Sequence, residues 1–247
     1  MKVVFHEDFY KRYASDPAAA TGRMEAVIKS IGNRFEMVQA VAADIKDIAE
    51  VHSDRHIARI HSRKELYHVA ALAAGGAIQA ATIGLTEPAF GLIRPPGHHA
   101  SQENSWGFCF FNNMAVALTR LMNSDLIKTA AVLDFDLHFG DGNVNLLAED
   151  GVVELLNPKS ANRKVYLNEV EAFLNRCNVD IIGVSAGFDN HEKDWGGLLT
   201  TEDYTTMGQM VKEAAKRTGA GYFGILEGGY NHYVLGDNVL AFLEGMA

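Results

Sequence analysis

The chain has 247 residues, of which 48% are hydrophobic and 21% charged, and a formal net charge of −9, which fits one globular domain over residues 1–247 with an ample core. The acidic balance argues against nucleic acid, whose phosphates bind basic surfaces, and no apolar run is long enough to predict a membrane span. The two cysteines, Cys109 and Cys177, cannot form a disulfide framework, and the N-terminus lacks the apolar core of a signal peptide, so a reduced, cytoplasmic setting is expected.

Apolar runs and turn residues predict alternating strands and helices along the chain. Strands are expected at residues 3–5, 36–42, 89–93, 130–133, 152–156, 179–185 and 221–226, and helices at 24–31, 44–49, 69–83, 114–122, 144–147, 169–177, 201–214 and 234–243. The repeated order of strand, loop and helix predicts an α/β fold, with an open, mainly parallel sheet and helices on both faces. Ligand sites in such sheets lie beyond the carboxyl ends of the strands.

A polar helical region at residues 51–66 contains three histidines, His52, His56 and His61. A surface position is expected for all three rings, because most of their neighbours are polar or charged. We therefore give them no part in the predicted site.

The segment 130–142 is the most informative part of the sequence. Residues 130–133 are apolar, as in a central strand covered on both faces, and Asp134, Asp136 and His138 then alternate with apolar neighbours. In an extended segment residues two apart point the same way, so these three side chains are expected to share one side. Two carboxylates at such short range repel one another unless a cation or a proton lies between them. A metal site and a solvated polar strand end both stay open at this point.

Unusual polar residues follow four of the predicted strands. They are His98–His99 after a Pro-Pro-Gly turn, the Asp134–Asp141 segment, Asp189 and Tyr230. Because the carboxyl ends of parallel strands meet at one edge of the sheet, all four groups are expected to converge there. Their convergence predicts a real site rather than four coincidences.

Three of these residues form a plausible ligand set for a catalytic metal. Asp136, His138 and Asp189 supply nitrogen and oxygen ligands and leave one position open, which is the pattern of a catalytic zinc site. Iron(II), cobalt or manganese also suit two carboxylates and one imidazole. Water bound to such a metal has its pKa lowered toward ~7 and becomes a nucleophile.

The remaining polar residues suit the work around such a water. His98 and His99 can act as base and acid, which is typically worth about 10²–10⁴-fold in rate. Asp134 and Asp141 can each accept a hydrogen bond from one imidazole and set its tautomer. Tyr230 can donate its hydroxyl to a carbonyl oxygen as charge develops there. Together these groups indicate hydrolysis of an amide or an ester.

Five motifs resemble those of the histone deacetylase and acetylpolyamine amidohydrolase family. In the order of that family, and across nearly the whole chain, they are Arg94-Pro95-Pro96-Gly97-His98-His99-Ala100, Gly107-Phe108-Cys109-Phe110-Phe111-Asn112-Asn113, Asp134-Phe135-Asp136-Leu137-His138, Ser185-Ala186-Gly187-Phe188-Asp189 and Leu226-Glu227-Gly228-Gly229-Tyr230. One such motif is a weak signal, but five in order are very specific.

The resemblance implies the arginase/deacetylase fold and a zinc-dependent deacetylase, an amidohydrolase that removes an acetyl or related acyl group from an amine. Its zinc would be held by Asp136, His138 and Asp189. It also implies that His99 is the main general base and acid and that His98 assists electrostatically. The expected substrates are small-molecule or peptide N-acetyl amines, such as acetyl-lysine or an acetylpolyamine.

The resemblance further implies pairings and a channel. Asp134 would pair with His98 and Asp141 with His99, while Tyr230 would polarise the acetyl carbonyl.

Gly107 and Phe108 would line the acyl-lysine channel. A structural potassium ion would be held near Asp134, Asp136 and the carbonyl of His138.

The sequence departs from the family pattern in several places. Phe139 stands where a second histidine is usual, and Asn143 replaces a common threonine. The segments 63–72 and 156–169 are short and lack the family's acidic rim residue and Phe-Pro-Gly loop. We therefore expect a shallower, more open channel, or one completed by another subunit of a homo-oligomer. The exposed walls would then come from Trp106 and Trp195.

Three alternatives keep some support. A GxSxG pattern at residues 183–187 allows a serine hydrolase that uses Ser185, although polar loop rather than helix is predicted after it. A ureohydrolase-like enzyme with two metal ions would share the fold but needs more carboxylates around the ligand segment. A catalytically silent binding module would be surprising, since every proposed ligand and catalytic group is present.

Overall fold

A seven-stranded sheet, with all pairings parallel, forms the centre of the computed structural model, which describes residues 1–148 and 151–247. The strands are β1 (Lys2–Phe5), β2 (Glu36–Gln39), β3 (Ala89–Gly91), β4 (Ala130–Asp134), β5 (Val153–Leu156), β6 (Ile181–Ala186) and β7 (Gly221–Leu226). Their order across the sheet is β2-β1-β3-β7-β6-β4-β5. The four strands that precede the predicted site residues, β3, β7, β6 and β4, are therefore adjacent.

Helices connect the strands and cover the sheet. They are α1 (Arg23–Ile31), α2 (Ile45–Ala49), α3 (Asp54–His61), α4 (Lys64–Gly84), α5 (Asn113–Asn123), α6 (Asp141–Leu147), α7 (Arg163–Arg176), α8 (Thr201–Thr218) and α9 (His232–Met246), with short 3₁₀ helices at Glu7–Tyr10 and Pro17–Ala19. The predicted α/β class and parallel sheet are confirmed, with three helix starts moved. The helix expected at 69–83 begins at Lys64, the one expected at 144–147 begins at Asp141, and the one expected at 169–177 begins at Arg163.

The helices lie on both faces of the sheet, as neighbouring residues of the central strands show. Gly183 of β6 pairs with Phe223 of β7, so the two residues point to the same face of the sheet. The Cα of Gly183 faces Met114 of α5. The next residue of β7, Gly224, faces Phe242 of α9 instead. Because successive residues of a strand point to opposite faces, α5 and α9 cover opposite sides of the sheet.

The apolar helix α4 is a core helix. Its 21 residues are long and apolar enough to cross a membrane, but 67% of its most apolar stretch is buried within the protein, and it packs against α5, β3 and β7. Small residues allow this close approach: a Cβ added to Gly84 would lie 2.9 Å from the carbonyl oxygen of Tyr222 on β7. Burial against the sheet thus accounts for its composition.

The prediction of three surface histidines is wrong for two of them. His52 and His56 are only 2% and 1% exposed, whereas His61 is exposed. The ring of His52 accepts a hydrogen bond from the amide of Asn112 (2.9 Å) through Nε2 and donates from Nδ1 to the carbonyl of Ser101 (3.0 Å). A buried ring that pairs with two backbone groups is a structural support, and this one ties down the loop between those residues.

The buried ring of His52 makes a prediction about acid stability. Burial and then the neighbouring His56 lower its pKa from 6.5 to about 4. The unfolded chain gains a proton at this position as pH falls through 6.5, but the folded chain does not take one up until about pH 4. Folding stability is therefore lost between these two pH values. The loss is on the order of 3 kcal/mol at most.

We therefore expect His52→Gln to lower the free energy of unfolding at pH 7 but to lose less of it between pH 6.5 and 4 than the wild-type protein does. Urea unfolding at several pH values measures both. Parallel pH profiles for the two proteins would contradict a neutral buried ring.

Candidate active site

The carboxyl ends of β3, β4, β6 and β7 carry the residues singled out by the sequence, and the structure brings them together. His98 and His99 follow β3 after an irregular turn, and Asp134 is the last residue of β4. Asp189 lies three residues beyond β6, and Tyr230 lies four beyond β7. The convergence expected from the strand order is therefore present in the fold.

Asp136, His138 and Asp189 form the centre of this group. One ligand-type atom from each lies within 4.8 Å of the others. Nδ1 of His138 is 3.2 Å from Oδ1 of Asp136 and 2.9 Å from Oδ2 of Asp189. Yet Oδ2 of Asp189 is buried and has no hydrogen-bond partner among the described residues. A buried, unpartnered carboxylate oxygen that faces an imidazole nitrogen fits a shared cation.

The charges of the three residues also indicate a shared cation. Burial and then the facing Asp136 carboxylate raise the pKa of Asp189 to about 6, because two ionised carboxylates repel one another. The hydrogen bond with Asp136, and next the close contact with the Asp189 carboxylate, raise the pKa of His138 to about 10. The site therefore favours added positive charge, which a divalent metal ion supplies once the imidazole loses its proton.

Backbone amides and glycines hold the two carboxylates in place. Gly228 donates its amide to Oδ2 of Asp136 (2.9 Å), and Leu137 donates to Oδ1 of Asp189 (3.1 Å). A Cβ on Gly187 would lie 2.0 Å from Oδ2 of Asp136. The glycine beside the ligand is therefore a steric requirement of the site.

Each histidine of the predicted pair contacts one carboxylate. Nδ1 of His98 donates to Oδ2 of Asp134 (3.2 Å), and Nδ1 of His99 donates to Oδ1 of Asp141 (2.7 Å). Both contacts match the pairing that the resemblance implies. The bond to Asp141 fixes the tautomer of the His99 ring and leaves its Nε2 free to accept a proton.

The two imidazoles differ in charge. Burial lowers the pKa of His98, but Asp136 and Asp134 outweigh it and hold the value well above the usual one. Burial, followed by the charge of His98, lowers the pKa of His99 to about 4. At neutral pH His99 is therefore an unprotonated ring that can accept a proton beside a cationic His98, which is the division of roles expected for a general base and an electrostatic partner.

Asn143, one of the departures from the family pattern, has a clear structural role. Its Nδ2 donates to Oδ2 of Asp134 (3.0 Å) and lies 3.1 Å from the hydroxyl of Ser185. That hydroxyl in turn donates to Oε1 of Glu227 (3.2 Å), and Ser185 is fully buried on β6. A buried serine without a histidine partner is poorly placed as a nucleophile.

Sequence reasoning assigned no role to two buried charged residues. Oε2 of Glu227 accepts amides from Gly97 (2.6 Å) and His98 (3.2 Å), so it fixes the turn that carries both histidines. Burial raises the pKa of Glu227 to about 7. Arg23 donates to the carbonyls of Glu227 (2.6 Å) and Gly229 (2.8 Å). An acidic residue directly after an apolar strand was a usable signal for Glu227, but nothing around Arg23 marks it in the sequence.

Aromatic residues surround Tyr230 at the entrance. Its ring stacks on that of Trp195 at 4.2 Å and meets the edge of Phe108 at 5.7 Å. Asp194 accepts the backbone amide of Tyr230 (2.8 Å). Burial and the nearby Asp136 carboxylate raise the pKa of the phenol, so its hydroxyl keeps its proton. That hydroxyl makes no hydrogen bond within the described ranges and can donate to a ligand.

Gly107 lies against His99, and the next residue, Phe108, lies against Tyr230 and Trp195. Both adopt positive φ angles, 56° and 67°, a conformation that glycine tolerates and phenylalanine rarely does. A Cβ on Gly107 would lie 2.3 Å from Cδ2 of His99. Of the two predicted channel residues, Gly107 is thus packed directly against the candidate base.

A cavity of about 580 Å³ opens on the other side of His138. Its outer wall is formed by residues 157–161 and 196–198, which include the segment predicted to be short. Phe139 is 47% exposed at its edge, with the ammonium of Lys159 5.1 Å from the ring centroid. Short segments therefore form the wall of this cavity, and the shallower, more open channel expected from the missing rim loops stays a prediction.

Comparisons with known proteins agree with this geometry. The sequence is 29% identical to a probable deacetylase of Methanothermobacter thermautotrophicus, over 92% of this chain and 84% of the relative. It is 25% identical to a histone deacetylase-like amidohydrolase of Pseudomonas aeruginosa (94% and 78%) and 29% identical to an acetylpolyamine amidohydrolase of Mycoplana ramosa (64% and 56%).

The fold is also that of a solved relative. The crystal structure of the HDA15 HD domain superposes with a TM-score of 0.84 at 22% identity, over 98% of this chain and 88% of that one, which shows the arginase/deacetylase fold. The family model described as the histone deacetylase domain matches residues 58–166 and 158–246. The chain therefore belongs to the histone deacetylase domain family and is an amidohydrolase of the deacetylase type.

Proposed function

We propose that the protein is a zinc-dependent deacetylase that removes an acetyl or related acyl group from an amine. The observation that carries the proposal is the trio of Asp136, His138 and Asp189, whose ligand atoms lie close together and in which one oxygen of a buried carboxylate is unpartnered. Two carboxylates and one imidazole also suit iron(II) or another divalent ion. When bound, such an ion supplies a Lewis acid for the carbonyl and an acidified water.

The protein's own residues perform the proton transfers. His99, neutral and oriented by Asp141, accepts a proton from the attacking water at Nε2 and returns it to the departing amine nitrogen. His98, cationic beside Asp134, stabilises negative charge as it develops. Tyr230 donates its hydroxyl to the carbonyl oxygen, and a donor of this kind is worth about 10²–10³-fold in rate.

The open entrance favours substrates that do not need a long, closed channel. Acetyl-lysine in a peptide, an acetylpolyamine and other small N-acyl amines all fit this requirement. Kinship with an acetylpolyamine amidohydrolase supports the small-molecule class. A zinc-loaded screen over these three groups, read as release of free amine, tests the proposal; absence of hydrolysis in all three would contradict it.

The same kinship extends the proposal to features around the site. We include a structural potassium ion near Asp134, Asp136 and the carbonyl of His138, a cytoplasmic location, and a homo-oligomer in which a second subunit completes the open channel. The net charge of −9 supports the absence of nucleic-acid partners.

The first prediction of this proposal concerns the metal. Chelation should abolish activity, and Asp189→Ala should lose the metal and activity together, because a ligand and its charge are both removed. Elemental analysis should give one tightly bound divalent ion per chain in the wild-type protein. Two such ions would favour the ureohydrolase-like alternative instead.

Ser185→Ala, on the strand β6 that precedes Asp189, serves as the matched control. It should keep metal and activity at a cost in stability of about 1 kcal/mol for the lost hydrogen bonds. Loss of activity in a folded, metal-loaded Ser185→Ala protein would support a serine hydrolase.

The second prediction concerns Tyr230. Tyr230→Phe keeps the ring that stacks on Trp195 but removes the hydroxyl, so metal content should be unchanged while kcat falls about 10²–10³-fold. The Michaelis constant should change little, since the bond strengthens mainly in the transition state. Steady-state kinetics beside elemental analysis measures this, and near-wild-type turnover would exclude the carbonyl role.

A further inference from the structure

Trp106 is half exposed, at 56%, yet two contacts fix its indole beside the candidate base. Its Nε1 donates to Oδ2 of Asp141 (2.9 Å), and its ring stacks on that of His99 at a centroid distance of 3.8 Å and an interplanar angle of 29°. The other oxygen of the same carboxylate, Oδ1, accepts the hydrogen bond from His99 (2.7 Å). Indole, carboxylate and imidazole thus form a closed set of three contacts.

We propose that Trp106 is a positioning residue that orients Asp141 and, through it, the general base His99. The inference rests on the proposed function, in which His99 moves the proton. Among the described residues, the hydrogen bond and the ring stacking of Trp106 are with Asp141 and His99, so its effect is exerted through this pair.

The need for such a residue follows from the exposure of the pair. The side chain of Asp141 is 35% exposed and sits in the first turn of α6, where water competes for its oxygens. A carboxylate with one oxygen bound only to water can rotate, and rotation would weaken its bond to His99. The indole occupies the second oxygen and covers one face of the imidazole, which holds both groups in a single orientation.

The buried pair at the same site provides an internal comparison. Asp134, which is fully buried, binds His98 and also receives the amide of Asn143 (3.0 Å). Each histidine-bound carboxylate therefore has a second side-chain donor: Asn143 for the buried pair and Trp106 for the exposed one.

Exposure alone does not distinguish Trp106 from the other tryptophan of the chain. Trp195 is 54% exposed and stacks on Tyr230 at 4.2 Å. In the part of the chain that the structure describes, however, its indole nitrogen makes no hydrogen bond. Trp195 is thus the matched residue that lacks the carboxylate contact.

A double-mutant cycle tests the inference. Trp106→Phe keeps a stacking ring but removes the N–H; because hydrogen bonds to charged groups change equilibria by roughly ten- to hundredfold, we expect kcat to fall about tenfold, with the Michaelis constant within about twofold and metal content unchanged. In an Asp141→Ala background the same change should cost less than about twofold, since no carboxylate remains to be oriented. Equal losses in both backgrounds would overturn the inference.

Trp195→Phe is the control for the cycle. Whatever its effect on the kinetics, that effect should be the same with Asp or Ala at position 141, because the contacts of the described residues include none between Trp195 and Asp141. The contrast between an additive Trp195 and a non-additive Trp106 is the expected result.

A second measurement does not depend on activity. The chain has two tryptophans, so an ¹⁵N-labelled sample gives two indole N–H signals, assigned with the two Phe variants. Asp141→Ala should move the Trp106 signal and speed its exchange with solvent, and leave the Trp195 signal in place. Trp106→Phe should in turn move the ring signals of His99.

The two proposals can fail separately. A wild-type protein that hydrolyses no acyl amine would contradict the proposed function, and the NMR result would still decide whether Trp106 orients the pair. If the signals of Trp106 and His99 do not change in these variants, the inference is overturned even in an active enzyme.

Discussion

Two acidic side chains, Asp136 and Asp189, face one another in the interior of the protein, and the rest of the site depends on this repulsion. Burial and the facing carboxylate raise the pKa of Asp189, so the arrangement is stable only with positive charge nearby. The fold supplies fixed donors, from the amides of Leu137 and Gly228, and leaves one oxygen of Asp189 open. The same repulsion that makes two buried carboxylates unfavourable gives the pair its affinity for a cation.

The sheet order explains why the supporting groups gather around this pair. β3, β7, β6 and β4 are adjacent and parallel, so the loops after them meet without any long connection. Glu227 then joins the loops, because its carboxylate accepts from Gly97, His98 and Ser185. The catalytic turn and the two central strands are thereby held by one side chain.

Much of this could be predicted from sequence, for identifiable reasons. Alternating polar residues at Asp134–His138 and unusual residues after several strands are local patterns, and parallel topology brings such patterns together. The burial of His52 was missed because its partners, the backbone groups of Ser101 and Asn112, are about 50 residues or more away in the chain. Arg23, which binds backbone carbonyls more than 200 residues away, leaves no local pattern either. Every residue has the same backbone groups, so a contact to the backbone of a distant residue leaves no recognisable pattern in the sequence.

The open side of the entrance has a consequence for how selectivity can change. Its walls include single side chains on short connecting segments, among them Phe139 and Lys159, rather than long loops. A loop must be rebuilt as a unit to reshape a channel, whereas a single side chain can be exchanged without disturbing the backbone. Acceptance of bulkier, flatter or more charged acyl amines is therefore accessible to this scaffold one substitution at a time, while the buried ligands stay as they are.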